Sequence, residues 1–159
     1  MGALSCPGAG KELPAQTSGM VVGYTSGVYD MFHIGHLNVL RRARTLCDRL
    51  VVGVTTDGLT IARKAKRPVV PFEERCEVVA SIRYVDEVVA QSTMNKLEAW
   101  EAVGFDRMFV GDDWRGSDAW TRYEAEFARV GVEIVYLPYT TQTSSTLLRH
   151  RIESEAAAG

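Results

Sequence analysis

GVYDMFHIGHLNVL, from Gly27 to Leu40, is the stretch on which the reading of this chain turns. It sets two of the three histidines, His33 and His36, three residues apart, just after an acidic turn at Asp30. Upstream, Met20–Thr25 is short, apolar and bounded by glycine, as a buried strand should be. Downstream, Leu37, Leu40, Ala43 and Cys47 keep to one face of a helix. The stretch is therefore a strand–turn–helix with histidines at the helix mouth. A helix N-terminus offers unpaired N–H groups and favours anions, and imidazole N–H donors add to that preference. Gly27 and Gly35 let a ligand approach the backbone with no Cβ in the way. Together these features read as a phosphate cradle built without lysine. Two other readings compete. A metal pair would need a third ligand, for which Asp30 is the near candidate, and the histidines could instead cap the helix or pack in the core.

Working outward, the same alternation repeats. Apolar runs at Leu50–Thr55, Val85–Ala90, Met108–Gly111 and Val132–Leu137 read as further buried strands. Phe72, Cys76, Val79 and Arg83 line a second helix, with Val78 and Ile82 widening its stripe. Weaker helical patterns cover Met94–Val103, Asp118–Val130 and Ser144–Ile152. The alternation predicts an α/β protein: a Rossmann-like three-layer fold with a five-stranded parallel sheet and helices on both faces. Ligands of such sheets bind beyond the carboxyl ends of the strands. That places Ser26–His36, Thr56–Pro71, Asp112–Ser117 and Thr140–Thr146 at the site as loops. Neither GxGxxG nor GxxxxGK[ST] occurs in them.

The bulk numbers bound the rest. A chain of 159 residues, 46% hydrophobic and 24% charged, fits one soluble domain. Residues 1–19, rich in Gly, Pro and Ala, read as a disordered extension, 20–153 as the domain and 154–159 as a disordered tail. A formal charge of −2 argues against a general nucleic-acid binder. Cys6, Cys47 and Cys76 show neither zinc spacing nor a disulfide framework, so reduced thiols and a cytoplasmic location are expected. No apolar run approaches the roughly 20 residues that span a bilayer, so no membrane insertion is expected.

Gly27-Val28-Tyr29-Asp30-Met31-Phe32-His33-Ile34-Gly35-His36 resembles the signature of the HxGH nucleotidyltransferases. Arg83-Tyr84-Val85-Asp86-Glu87-Val88 is similar to the RYVDEV segment of cytidylyltransferases. Gly111-Asp112-Asp113-Trp114 is similar to the GDDW of their glycerol-3-phosphate branch, and Thr143-Ser144-Ser145-Thr146 to its ISTT. The resemblance covers about Val21 to Ile152. It implies transfer of CMP from CTP to a phosphorylated alcohol, with Mg²⁺ accompanying the CTP and a homodimer built near the RYVDEV segment.

By this resemblance His33 and His36 are catalytic, contacting the triphosphate where charge develops. Lys66, in the basic stretch Ile61–Pro68, joins them on the leaving side, with Lys64 as second choice. Gly27, Val28, Tyr29, Asp30, Gly35, Lys64, Arg75, Asp112, Ser144, Ser145 and Thr146 are expected to bind nucleotide, and Asp113, Trp114 and Tyr139 the acceptor. No protein-bound metal site is expected. Two positions depart from the family pattern: Tyr139 stands in place of an arginine, and Gln142 in place of a glycine. A tyrosine cannot supply the charged fork of a guanidinium, so one phosphate contact is missing or Arg149 or Arg122 provides it from elsewhere. The acceptor therefore stays open among polyol phosphates, amino-alcohol phosphates and phosphonates. Arg67-Pro68-Val69-Val70-Pro71 also resembles sugar-phosphate adenylyltransferases of the ADP-heptose type, which makes adenylyl transfer the chemical alternative. A non-catalytic nucleotide-binding module is the alternative of another class.

Overall fold

The apolar runs become five parallel strands in the computed structural model, which describes residues 19–138, 140 and 142–159. The strands are β1 (Val22–Gly27), β2 (Arg49–Thr55), β3 (Glu87–Gln91), β4 (Arg107–Gly111) and β5 (Glu133–Leu137). They lie side by side in the order β3-β2-β1-β4-β5. Between them run α1 (Ile34–Arg44), α2 (Asp57–Lys64), α3 (Phe72–Ala80), α4 (Lys96–Val103) and α5 (Asp118–Arg129), and α6 (Ser145–Ala158) follows β5. Leu50, Val52 and Val54 pack with Leu40 and Ala43 of α1 and Cys76 and Val79 of α3 on one face. Tyr24, Val51 and Met108 pack with Trp120 and Phe127 of α5 on the other, where Leu97 and Trp100 of α4 also lie. Both faces of β2 are thus covered, which is why its sequence is a nearly unbroken apolar run.

Three aspartates fix the sheet's amino edge. Asp48, Asp86 and Asp106 each immediately precede a strand and accept from a neighbouring strand's first N–H groups: those of Val21, Leu50 and Val22, each at 2.8 Å. At the carboxyl edge the sheet opens instead. β1 pairs with β2 over six residues, from Val22 to Gly27, but with β4 only at Gly23 and Tyr24. Thr25–Gly27 and Phe109–Gly111 therefore part company at the point where the strand order reverses, and a crevice forms there.

Several expectations need correction. Thr56–Pro71 is not an open loop: α2 occupies Asp57–Lys64, capped by the Thr56 hydroxyl, which accepts from Leu59 N at 3.2 Å. Only Thr60 of this helix is buried, so no apolar stripe announced it. Asp112–Trp114 form a 3₁₀ turn within the predicted Asp112–Ser117 loop. Val78, expected in the buried stripe of α3, is exposed, while Arg75 is buried. α6 continues to Ala158, through the segment 154–159 read as a tail, and buries no residue. Of the N-terminal segment 1–19, all but Gly19 lies outside the described residues.

Candidate active site

The histidine loop is locked by its own side chains. His33 is the N-cap of α1, and its Nδ1 accepts from Gly35 N at 3.1 Å. The His33 N–H in turn donates to His36 Nδ1 at 3.2 Å, a reciprocal capping box made from two imidazoles. Each Nδ1 therefore acts as an acceptor, which puts the proton of a neutral ring on Nε2 and leaves an Nε2–H for a ligand. The rings stack with centroids 3.8 Å apart. Burial pushes His36 down to about 3, helped by the neighbouring His33 and opposed by Asp30. Burial also lowers His33. Both imidazoles are neutral donors at neutral pH. A Cβ on Gly35 would lie 2.9 Å from His33 Cε1 and 3.4 Å from Thr143 O, so this glycine is what allows the ring to fold back.

The preceding turn carries strain. Tyr29 and Met31 both adopt left-handed backbone, at φ 54° and 48°. Such conformations cost on the order of 1–3 kcal/mol each and survive where the surroundings over-determine them. Here the surroundings are buried Tyr29 and Asp30. The Asp30 carboxylate accepts from Val69 N and Val70 N, each at 2.9 Å, and pairs with Arg149 at 3.2 Å. Its carbonyl accepts from Ser145 Oγ at 2.6 Å. One residue thus ties the histidine turn, the stretch after the basic segment, and α6.

Two adjoining cavities result, sharing His36 and Ser145 in their walls. The first, about 200 Å³, is lined by Val28, Tyr29, Asp30, Lys64, Lys66, Thr146 and Arg149, together with Thr60 and Pro68. The second, about 240 Å³, is lined by His33, Gly35, Thr143 and Ser144, with Val39 and Thr140 behind them. Three cations, two imidazoles, several hydroxyls and the N-termini of α1 and α6 converge. Ala65, in left-handed conformation at φ 51°, ends α2 between the two lysines. Ser144 caps α6 by accepting from Leu147 N at 3.1 Å. This is an arrangement for a polyanion.

Other expected residues fall elsewhere. Arg75 is 1% exposed and its donors are taken: by Val70 O at 2.9 Å, Thr55 O at 2.8 Å, Asp57 at 2.6 Å, and Val28 O. It is a strut beneath the site, not a wall of either cavity. Gly27 closes β1, and Asp112, Asp113 and Trp114 stand at the end of β4, across the crevice; none of these four lines either cavity. Trp114 is exposed. Tyr139 lies outside the described residues. Arg149 is present in the first cavity, whereas Arg122 sits on the exposed part of α5 and lines neither. Thr60, Pro68 and Lys96 were not anticipated; a buried lysine carries no motif, and Thr60 belongs to a helix the pattern did not show.

The chain matches the model of the cytidylyltransferase-like family over residues 24–151. It is 34% identical over 129 residues to the glycerol-3-phosphate cytidylyltransferase of Bacillus subtilis, covering 80% of this chain and 94% of that one. It is 43% identical over 101 residues to the bifunctional protein HldE of Granulibacter bethesdensis, where the match covers 63% of this chain and 21% of the relative. The lipopolysaccharide core biosynthesis protein of Thermoplasma volcanium has the same fold, with a TM-score of 0.67, 24% identity, and coverage of 77% of this chain and all of that one. Among the described residues no helix is long and apolar enough to cross a membrane. The chain belongs to the cytidylyltransferase-like family of nucleotidyltransferases.

Proposed function

We propose that this protein transfers CMP from CTP to a phosphorylated polyol of the glycerol 3-phosphate kind, releasing pyrophosphate and a CDP-alcohol. The observation that carries the reading is the pair of neutral histidines held as Nε2–H donors beside the lysine-lined cavity. An acceptor phosphate oxygen is ionised near neutral pH, so it can attack the α-phosphorus without a general base. The bond from that phosphorus to the bridging oxygen breaks, and the electron pair leaves with pyrophosphate. Catalysis is then positioning plus charge stabilisation. His33 and His36 donate to α- and β-phosphate oxygens. Lys66 and Lys64 hold the leaving side, and Ser144, Ser145 and Thr146 meet the triphosphate tail at the start of α6. Gly27, Val28 and Tyr29 supply backbone along the nucleotide, Asp112 its ribose side, and Asp113 and Trp114 the far wall.

Mg²⁺ fits this site as a passenger of the triphosphate. Among the described residues no cluster of three carboxylates, histidines or cysteines could hold a metal, and the Asp30 carboxylate is already committed. An ion bound mostly by phosphate oxygens and water needs no such cluster, and it would neutralise charge on the leaving pyrophosphate.

A second reading, adenylyl transfer to a sugar phosphate, is favoured by the Arg67–Pro71 segment, whose Pro68 lines the first cavity. Pyrophosphate release separates the two when CTP and ATP are each crossed with phosphorylated alcohols and sugars. Turnover with CTP and a polyol phosphate is the expected result, and turnover confined to ATP overturns the choice of base. Binding of CTP without turnover across the panel would instead point to a sensing module. A homodimer through the exposed Arg83 and the half-buried Tyr84, over whose ring Arg41 and Arg83 both sit, goes with this reading and is checked by light scattering.

A further inference from the structure

We propose that Arg115, stacked on Tyr136, is a positioning residue: it holds the Asp112–Trp114 turn against the nucleoside, so that the site grips a nucleotide more tightly than a bare triphosphate. This rests on the transferase reading, in which Asp112 faces the ribose, and names what keeps it there. Little in the turn itself fixes its place. It is a single 3₁₀ turn, none of its three residues is buried, and Trp114 is 50% exposed. Its backbone closes locally, with Arg115 N donating to Asp112 O at 3.1 Å and Ser117 N to Trp114 O at 3.2 Å. Gly116 follows in left-handed conformation, at φ 80°, where the chain turns toward α5. On the side of β5 the loop meets space instead of packing: Arg115 and Gly116 share with Thr121, Glu124, Glu133 and Tyr136 the wall of a cavity of about 590 Å³.

Arg115 spans that space. Its guanidinium carbon lies 4.5 Å from the centroid of the Tyr136 ring, where the ring quadrupole attracts a cation. Among the described residues the guanidinium forms no ion pair, so the ring is its anchor. Tyr136 is itself fixed twice. It sits opposite Val110 in the β4–β5 ladder, and its hydroxyl donates to the Glu124 carboxylate of α5. One side chain at the end of the turn is thus tied to a strand and, through that strand's tyrosine, to a helix. Arg115 lines neither triphosphate cavity. Its loss therefore frees the nucleoside side of the crevice and leaves the phosphate side as it was.

The test is calorimetric binding of CTP and of inorganic tripolyphosphate. Arg115→Leu is expected to weaken CTP about fivefold, the worth of one such contact, and tripolyphosphate less than twofold. Tyr136→Leu, which changes no charge, is expected to match it, and the double variant to bind no more weakly than either single one, as partners in one contact behave. Arg115→Lys keeps a cation over the ring and is expected to stay within twofold of wild type. Equal losses for both ligands would mean that Arg115 acts through its charge or through general stability. That result overturns the proposal, as do an unchanged CTP affinity in Arg115→Leu and losses that add in the double variant. In the ligand-free protein, ¹⁵N order parameters over residues 113–116 are expected to fall from about 0.85 to below about 0.6 in Arg115→Leu, and values unmoved by the substitution refute the tether. Wild type that binds neither ligand overturns the transferase reading and the nucleoside contact with it, while the order parameters still decide whether Arg115 holds the turn.

Discussion

Replacing Asp30 by Asn separates a ligand from a clamp, because the two roles predict opposite readouts. The carboxylate is 5% exposed as a residue and accepts two backbone N–H bonds at 2.9 Å besides its ion pair with Arg149. An asparagine of the same shape keeps one oxygen, so it can serve Val69 N or Val70 N but not both, and its NH₂ turns toward a donor. Hydrogen bonds to a charged acceptor contribute roughly 1.5–3 kcal/mol each. Arg149 is about a quarter exposed, so its pair is partly screened and adds about 1 kcal/mol. The loss sums to about 3 kcal/mol, which for a domain of this size lowers Tm by roughly 6–12 °C. Calorimetry of the ligand-free protein measures it. If Asp30 served only to bind nucleotide, the free protein would melt within about 2 °C of wild type and only CTP affinity would fall. That result would refute the clamp.

Three further outcomes follow from the same geometry. His36→Ala is expected to lower kcat by roughly 10²–10³-fold while changing CTP affinity little, because donors aimed at developing charge act mainly in the transition state; wild-type turnover in that variant would remove His36 from the mechanism. Both histidines are held neutral, His36 down to about 3, so the unfolded chain binds protons that the folded one refuses. Their contribution to stability is therefore present above about pH 6.5 and is lost as pH falls from there toward 3, a slope that His33→Asn with His36→Asn should flatten in urea titrations across that range. Arg75→Met is expected to cost about 3–5 kcal/mol, since it leaves Asp57 and three carbonyls, that of Thr55 buried, without their donor. Arg75→Lys should recover less than half, because one ammonium cannot reach four acceptors on three segments, and equal denaturation midpoints for Lys and Arg would contradict the strut.

What the sequence disclosed was governed by periodicity and by distance along the chain. The five strands were legible because a parallel sheet covered on both faces makes each strand a continuous apolar run, and no observed end lies more than two residues from the expected one. The capping histidines were legible because partner and donor lie within three residues. α2 was not legible, since a helix that buries only Thr60 shows no stripe and the cations around its end read as a loop at the site. Arg75 was read as a ligand because local sequence does not show that Val28, Thr55, Asp57 and Val70 converge on it from three other segments. The same blindness to long-range contacts hid Lys96, whose partner Ser26 is 70 residues away.

The distribution of charge explains how a chain with a net charge of −2 can offer a polyanion site. Asp48, Asp86 and Asp106 are bound to strand N–H groups at the amino edge, 2.8 Å from each donor. Glu87 and Glu133 pair with Arg49 and Arg107 at the starts of their strands. At the other edge Asp57 answers to Arg75 and Asp30 to Arg149, whereas Lys64 and Lys66 form no ion pair among the described residues. The sheet is thus polarised along its strands, acidic where it is closed and basic where it opens. Short, partly buried contacts are screened little by salt, while attraction between open lysines and an incoming triphosphate falls steeply over a Debye length of about 8 Å at physiological ionic strength. Raising NaCl from 50 to 500 mM is therefore expected to weaken CTP binding at least tenfold while moving Tm by less than about 3 °C. Parallel losses in both would mean that the same charges hold the fold and the ligand, contrary to this separation.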